Sequence, residues 1–173
     1  EGGEPPKILS SLREPPQISQ RGRRFTPTVL PVTVGSTVRF PNDDSVFHNV
    51  FSLSKAAPFD LGIYKRGESR EVRFDATGLV KVYCNIHPDM AANVIVLPNP
   101  WFAVCSADGS FVLDDVPSGS YKLRAWTARG GAAAVAFEIE ERAAVTINLA
   151  ASESGGAKPH KNKFGREYSS KYR

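Results

Sequence analysis

The sequence predicts an all-β fold, a sandwich or barrel, and three observations carry that prediction. Apolar residues recur with a period of two rather than the roughly 3.6 of a helix. The runs that do so are short and rich in β-branched and aromatic side chains. Gly, Pro, Asn and Asp bound them.

The first two dozen residues, EGGEPPKILSSLREPPQISQRGRR, hold two Pro-Pro pairs and no sustained periodicity, so residues 1–16 are expected to form an extended Pro-rich segment. Six alternating runs follow: TVLPVTV (28–34), STVRF (36–40), VFHNVFS (46–52), REVRFD (70–75), LVKVYC (79–84) and ANVIVL (92–97). They define a first β domain over 17–98. Pro31 interrupts the first run, which marks an edge strand or a bulge, because proline cannot donate to a central ladder.

Pro98-Asn99-Pro100 breaks the pattern, which resumes as FAVC (102–105), SFVL (110–113), SYKLRAWT (120–127), AAVAFEIE (133–140) and AAVTINL (143–149). Ala107-Asp108-Gly109-Ser110 and Pro117-Ser118-Gly119-Ser120 read as turns between them. A smaller β unit is therefore expected over 99–151. Within it Cys105 falls in an alternating run, where a buried free thiol is the expected role. Residues 152–173 are polar and basic, with Phe164, Tyr168 and Tyr172 spaced along them. Such a tail is disordered alone, or lies over its own domain or a partner through those aromatics.

The 173 residues carry 22 basic and 18 acidic side chains, a net charge of +4. Six of the basic residues and only Glu167 lie in 158–173, which leaves sixteen basic against seventeen acidic over the rest. With the charge confined to the tail, no basic face interleaved with aromatics is expected, and nucleic acid is not an expected partner. The tail suits an acidic partner or an anionic surface. No run reaches the roughly 18 apolar residues that a membrane-spanning helix needs. The numbering opens at Glu1, and a processed, soluble chain is expected.

Chemistry concentrates in the octet YCNIHPDM (83–90). The chain has two cysteines, three histidines and one methionine, and this octet holds one of each. One alternative is a disulfide between Cys84 and Cys105, which leaves His87 and Met90 unexplained. The other is a metal. A thiolate, an imidazole and a thioether together suit copper, for which two His, one Cys and a long axial Met form the blue-copper set. Zinc fits less well, since a thioether is not among its usual ligands. A second histidine must come from elsewhere. His160 lies in the polar tail, whereas His48 stands among apolar residues after the turn residues PNDD, and His48 is the candidate. The candidate ligands are thus His48, Cys84, His87 and Met90.

GSTVRFPNDDSVFHNVFS, then FDLGIYKRGES, then FDATGLVKVYCNIHPDM and a Val-rich strand together resemble a cupredoxin of the amicyanin type, over about residues 17–98. In that family the ligand loop reads Cys, two residues, His, two residues, Met, which Cys84, His87 and Met90 match, and His48-Asn49 matches its upstream pair. The resemblance implies a Greek-key sandwich binding one type 1 copper through His48, Cys84, His87 and Met90. It makes Asn49 the residue that ties the two ligand loops together near the thiolate, supporting ligand geometry and potential. It implies that electrons pass at the exposed edge of the second histidine, with Pro88 and Ala91 in the surrounding patch. FAVCSADGSFVLDDVPSGSYKLRAWT is similar to the carboxypeptidase regulatory-like (transthyretin-like) β module. Asp108, Gly109, Phe111, Val116, Pro117, Gly119, Tyr121, Leu123 and Trp126 carry that likeness, although the module's opening strands are missing here.

Together these readings describe a blue copper protein that passes single electrons between redox partners such as a cytochrome or a dehydrogenase. It would act alone or as a subunit of a larger assembly docked through its terminal segments. Periplasmic copper storage or delivery is the alternative, because the same four ligands would hold Cu(I). An enzyme is not expected: a catalytic second copper needs several further histidines, and His160 alone remains. By the same resemblance the chain is expected to be exported to the periplasm, with no signal segment in this sequence.

Overall fold

The computed structural model describes residues 15–129, 131–141, 143–153, 155 and 160–168. Eleven strands are seen among them, and no helix. The described residues up to Val104, together with 160–168, form one compact unit, and those from Cys105 to 155 form another.

In the first unit, β3 (Val29–Thr33), β9 (Ala91–Leu97), β8 (Gly78–Cys84), β5 (His48–Ser52) and β6 (Phe59–Tyr64) make a five-stranded sheet in that order. β4 (Thr37–Pro41) pairs with β7 (Ser69–Arg73), and β1 (Ser19–Gln20) with β2 (Phe25–Thr26). β3 runs parallel to β9 at one edge of the sheet, and Pro31 lies in it, where a missing N–H costs no central ladder bond. β4 (Val38, Phe40) and the five-stranded sheet (Val32, Val50, Val80, Val82, Val94, Val96) contribute to one buried cluster with Phe74.

The period of two decides which side chains reach that core. On β8 the inward positions are Val80, Val82 and Cys84, and on β9 they are Ala92, Val94 and Val96. Burial of each valine is worth roughly 1.5–3 kcal/mol, so the face that Cys84 shares is strongly specified. β5 lies between β8 and β6 and is buried at all five residues. It pairs with β8 in the register Val50↔Cys84 and Phe51↔Tyr83. His48 stands two residues before Val50, on the same face, so it projects beside the end of β8.

At the entrance to β5 the turn is organised by Asn42, which is buried. Its side-chain amide donates to the carbonyls of Val46 and Tyr64, each at 3.0 Å, and its Oδ1 accepts from the Asp44 amide at 2.9 Å. These bonds aim Asp44 back toward β5.

The second unit differs from the sequence expectation. Of the five alternating runs, only two are strands: β10 (Gly119–Trp126) and β11 (Ala132–Ile139), an antiparallel pair in the register Gly119↔Ile139 to Trp126↔Ala132. FAVC and SFVL are four residues long and their Val104 and Val112 are exposed, so they bury too little to hold a ladder. AAVTINL is likewise outside any strand. The turn at Asp108-Gly109 is present, with Gly109 at φ +86° and the Asp108 carboxylate accepting from the Ser110 amide and hydroxyl. Cys105 is free but exposed, not buried, and Cys84 is also free, so no disulfide joins them.

The core predicts its own test. Phe40→Ala, at a fully buried position, should lower unfolding free energy by about 3–5 kcal/mol, whereas Val112→Ala, at an exposed one, should change it by less than about 0.5 kcal/mol. Chemical denaturation of the two variants checks the contrast.

Candidate metal centre

β8 ends at Cys84, and the chain turns back so that β9 can begin at Ala91. The Cys84 amide donates to the Met90 carbonyl and the Met90 amide to the His87 carbonyl, both at 3.2 Å. Pro88 fixes one backbone angle inside this tight loop. The result is a closed turn that holds His87 over the thiol it follows by three residues. Met90 is buried at the far side of the turn, within the core cluster that also contains Cys84.

His48 arrives from the neighbouring strand. Its Nδ1 lies 3.7 Å from Cys84 Sγ and 3.1 Å from His87 Nδ1, and His87 Nδ1 lies 3.6 Å from Cys84 Sγ. Among the described residues, these three are the group of His, Cys, Asp and Glu side chains arranged to hold a metal ion. A point equidistant from the three donor atoms lies about 2.0 Å from each, close to ordinary metal–imidazole and somewhat short of metal–thiolate bond lengths. Two imidazoles, a thiolate and a neighbouring thioether are the donor set of type 1 copper. The residues present therefore fit copper.

The surroundings prepare the donors. His48 Nε2 faces Asp44 Oδ2 at 3.1 Å. Burial pushes the Asp44 carboxyl up, but the Arg23 amide, His48 and the Ser45 amide outweigh it and hold the group below its usual range. An ionised Asp44 accepts a hydrogen bond from His48 Nε2–H, which leaves the Nδ1 lone pair facing Cys84 and His87. Burial likewise keeps the His48 pKa below the ordinary histidine value despite the carboxylate beside it. The His87 pKa is lowered too, first by burial and then by His48 and Arg23. Both shifts favour the neutral ring, the form that metal ligation requires. The Ile86 amide donates to Cys84 Sγ at 3.5 Å.

Asn49 is buried at the junction, but it joins the two ligand segments by its backbone. Its carbonyl accepts from the Asn85 amide at 2.9 Å. Its side-chain amide turns the other way, to Asp60 Oδ1 at 2.6 Å and the Gly62 carbonyl at 2.9 Å. His160 stands outside the donor group, stacked on Tyr83 with ring centroids 4.0 Å apart. Pro88 is partly buried and Ala91 exposed, on either side of the turn's tip. Two participants, Asp44 and Lys163, were not singled out in the sequence. Asp44 was readable only as a turn residue of PNDD, although its position four residues before His48 was the available signal. Lys163 reaches this region through Asn85, and Tyr168, one of the tail aromatics expected to lie over a domain or a partner, through the Cys84 carbonyl.

The lowered imidazole pKa values give a pH dependence. In the metal-free protein the unfolded chain takes up protons as pH falls through about 6.5, the ordinary histidine value, while His48 and His87 in the fold do not. Their contribution to stability is full above that pH and is lost below it, down to the depressed folded values. Asp44 and Asp60, held below 3.8 in the fold, lose their contribution only at still lower pH. The melting temperature of the metal-free protein should therefore drop between about pH 7.5 and 5.5. His87→Asn should flatten that drop, and an unchanged slope in the variant contradicts the assignment.

No protein-family model and no curated protein matches the chain. Among solved structures, a purple cupredoxin from Nitrosopumilus maritimus is 30% identical, over 47% of this chain and 99% of its own, with a TM-score of 0.44. A copper-containing nitrite reductase from Thermus scotoductus SA-01 is 27% identical over 49% of this chain and 22% of its own, with a TM-score of 0.46. A reduced amicyanin variant is 22% identical over 51% of this chain and 88% of its own, also at 0.46. The structural neighbours are cupredoxins or contain copper, and the similarity covers about half of the chain.

Proposed function

We propose that the first unit binds one type 1 copper through His48 Nδ1, Cys84 Sγ, His87 Nδ1 and Met90, and carries single electrons between redox protein partners. The observation that carries this reading is the convergence of three donor atoms, from β5, the end of β8 and the turn that follows it, onto one point at metal-bond distance. Bound there, copper supplies a one-electron Cu(II)/Cu(I) couple.

The chain's own residues supply the rest. The register of β5 against β8 brings His48 beside Cys84. Asp44 fixes the His48 tautomer, and the closed turn fixes His87 and Met90. His48, Cys84 and Met90 are almost wholly buried, so water is kept from three of the four donors. His87 is only partly buried, and its ring is the shortest route between the centre and a docked partner. Pro88 and Ala91 flank that route. A carrier rather than an enzyme is favoured because His160, the third histidine, is engaged with Tyr83 and Tyr168 and offers no second centre. We place the protein outside the cytoplasm, as an exported, periplasmic carrier.

A visible and electron-paramagnetic-resonance spectrum of the oxidised protein, with metal analysis, tests the reading. An intense thiolate-to-copper band with one copper per chain is expected. A pale protein that yields copper readily to a chelator would instead support storage or delivery. Cys84→Ser should abolish the band, because a hydroxyl is a poor donor to copper. Met90→Gln should retain copper and lower the reduction potential, since the axial ligand tunes it.

A further inference from the structure

Residues 160–168 return to the end of β8 from 78 to 84 positions further along the chain. They grip three consecutive residues there. The His160 ring stacks on Tyr83 at 4.0 Å with an interplanar angle of 21°. The Tyr168 hydroxyl donates to the Cys84 carbonyl at 2.6 Å. The Lys163 amide donates to Asn85 Oδ1 at 2.9 Å.

Lys163 does more, because its ammonium group also bonds Asp60 Oδ2. Asp60 Oδ1 accepts from the Asn49 side chain, and the Asn49 carbonyl accepts from the Asn85 amide. The four residues close a ring: Lys163 to Asn85, Asn85 to Asn49, Asn49 to Asp60, and Asp60 back to Lys163. Asn49 follows His48 and Asn85 follows Cys84. The ring therefore joins the two ligand-bearing segments through one tail residue. Hydrogen bonds that share partners in a partly buried setting reinforce one another.

We propose that Lys163 and Tyr168 are positioning residues that lock the Cys84–Met90 turn against β5 and so govern how slowly the site surrenders its metal. The proposal rests on the copper reading above. Neither residue touches a donor atom. Ligand exchange requires the turn to open, and opening must break the grip on residues 83–85. A carrier needs such a lock and a delivery protein does not.

Two variants test it. Tyr168→Phe removes one hydroxyl and keeps the ring, and Lys163→Met removes the charge and keeps the stem, with Lys163→Arg as the conservative control. In the metal-free protein, hydrogen exchange of the amides of residues 84–90 should rise about fivefold in Tyr168→Phe and in Lys163→Met, the change expected for about 1 kcal/mol of local opening. Exchange in β3 and β4 should stay unchanged, and Lys163→Arg should retain protection. In the copper-loaded protein, transfer of Cu(I) to a chelator should accelerate by a similar factor. Unchanged exchange at 84–90 overturns the lock, as does a rise spread evenly over the sheet, which reports general destabilisation. Local loosening with an unchanged chelator rate overturns the role in retention. Failure of the wild-type protein to take up copper, with local loosening still seen in the metal-free variants, overturns the copper reading and leaves the lock standing.

Discussion

The pairing of β5 with β8 is the constraint on which the rest of this structure depends. Val50 opposite Cys84 puts an imidazole and a thiol on the same face of adjacent strands. A slip of one residue would turn one of them to the other face, and the donor group would not exist. What prevents the slip is hydrophobic: Val80, Val82 and Cys84 on β8, and Ala92, Val94 and Val96 on β9, are all committed inward. The core and the site are thus one problem, solved by the same alternation.

Polar groups inside this core carry cost as well as order. His48, Asn49, Asn42 and Gln20 are all buried, and each makes specific bonds. Gln20 donates to the Tyr64 hydroxyl at 2.6 Å, and that hydroxyl donates to the Phe40 carbonyl at 3.0 Å. These links run from β1 to β4 and β6 and tie the layers together beneath the His48 turn. Among the described residues Asn49 Oδ1 has no partner, a cost at a residue whose backbone and amide serve the ligand segments.

Much of this was legible in the sequence because it is local. The period of two located β3, β4, β5, β7, β8 and β9 to within a residue or two. Cys84, His87 and Met90 announce themselves by sharing one turn, and His48 by standing as a lone imidazole in an apolar strand. β6 was harder, since Gly62 at φ +70° and a register shift opposite β5 interrupt its alternation. The second unit was overread. Alternation in FAVC and SFVL says which face a strand would bury, but a strand also needs a neighbour to bond. Asp44 reads only as a turn residue although it stands four positions before His48, and Lys163 left little trace because its bonds to Asn85 and Asp60 join segments 78 and 103 positions apart. Of the tail aromatics, Tyr172 lies outside the described residues, while Tyr168 and Phe164 lie in the first unit.

The sequence separation of the tail contacts also has a bearing on biosynthesis. The strands that assemble the donor group are complete by Leu97, whereas the residues that seal it are translated more than sixty positions later, after the whole second unit. Chains emerge from the ribosome in order, and early segments fold while later ones are still being made. The strands of the first unit are thus available to pair before residues 160–168 exist to bond Tyr83, Cys84 and Asn85, so the tail contacts are the last local order that unit can acquire.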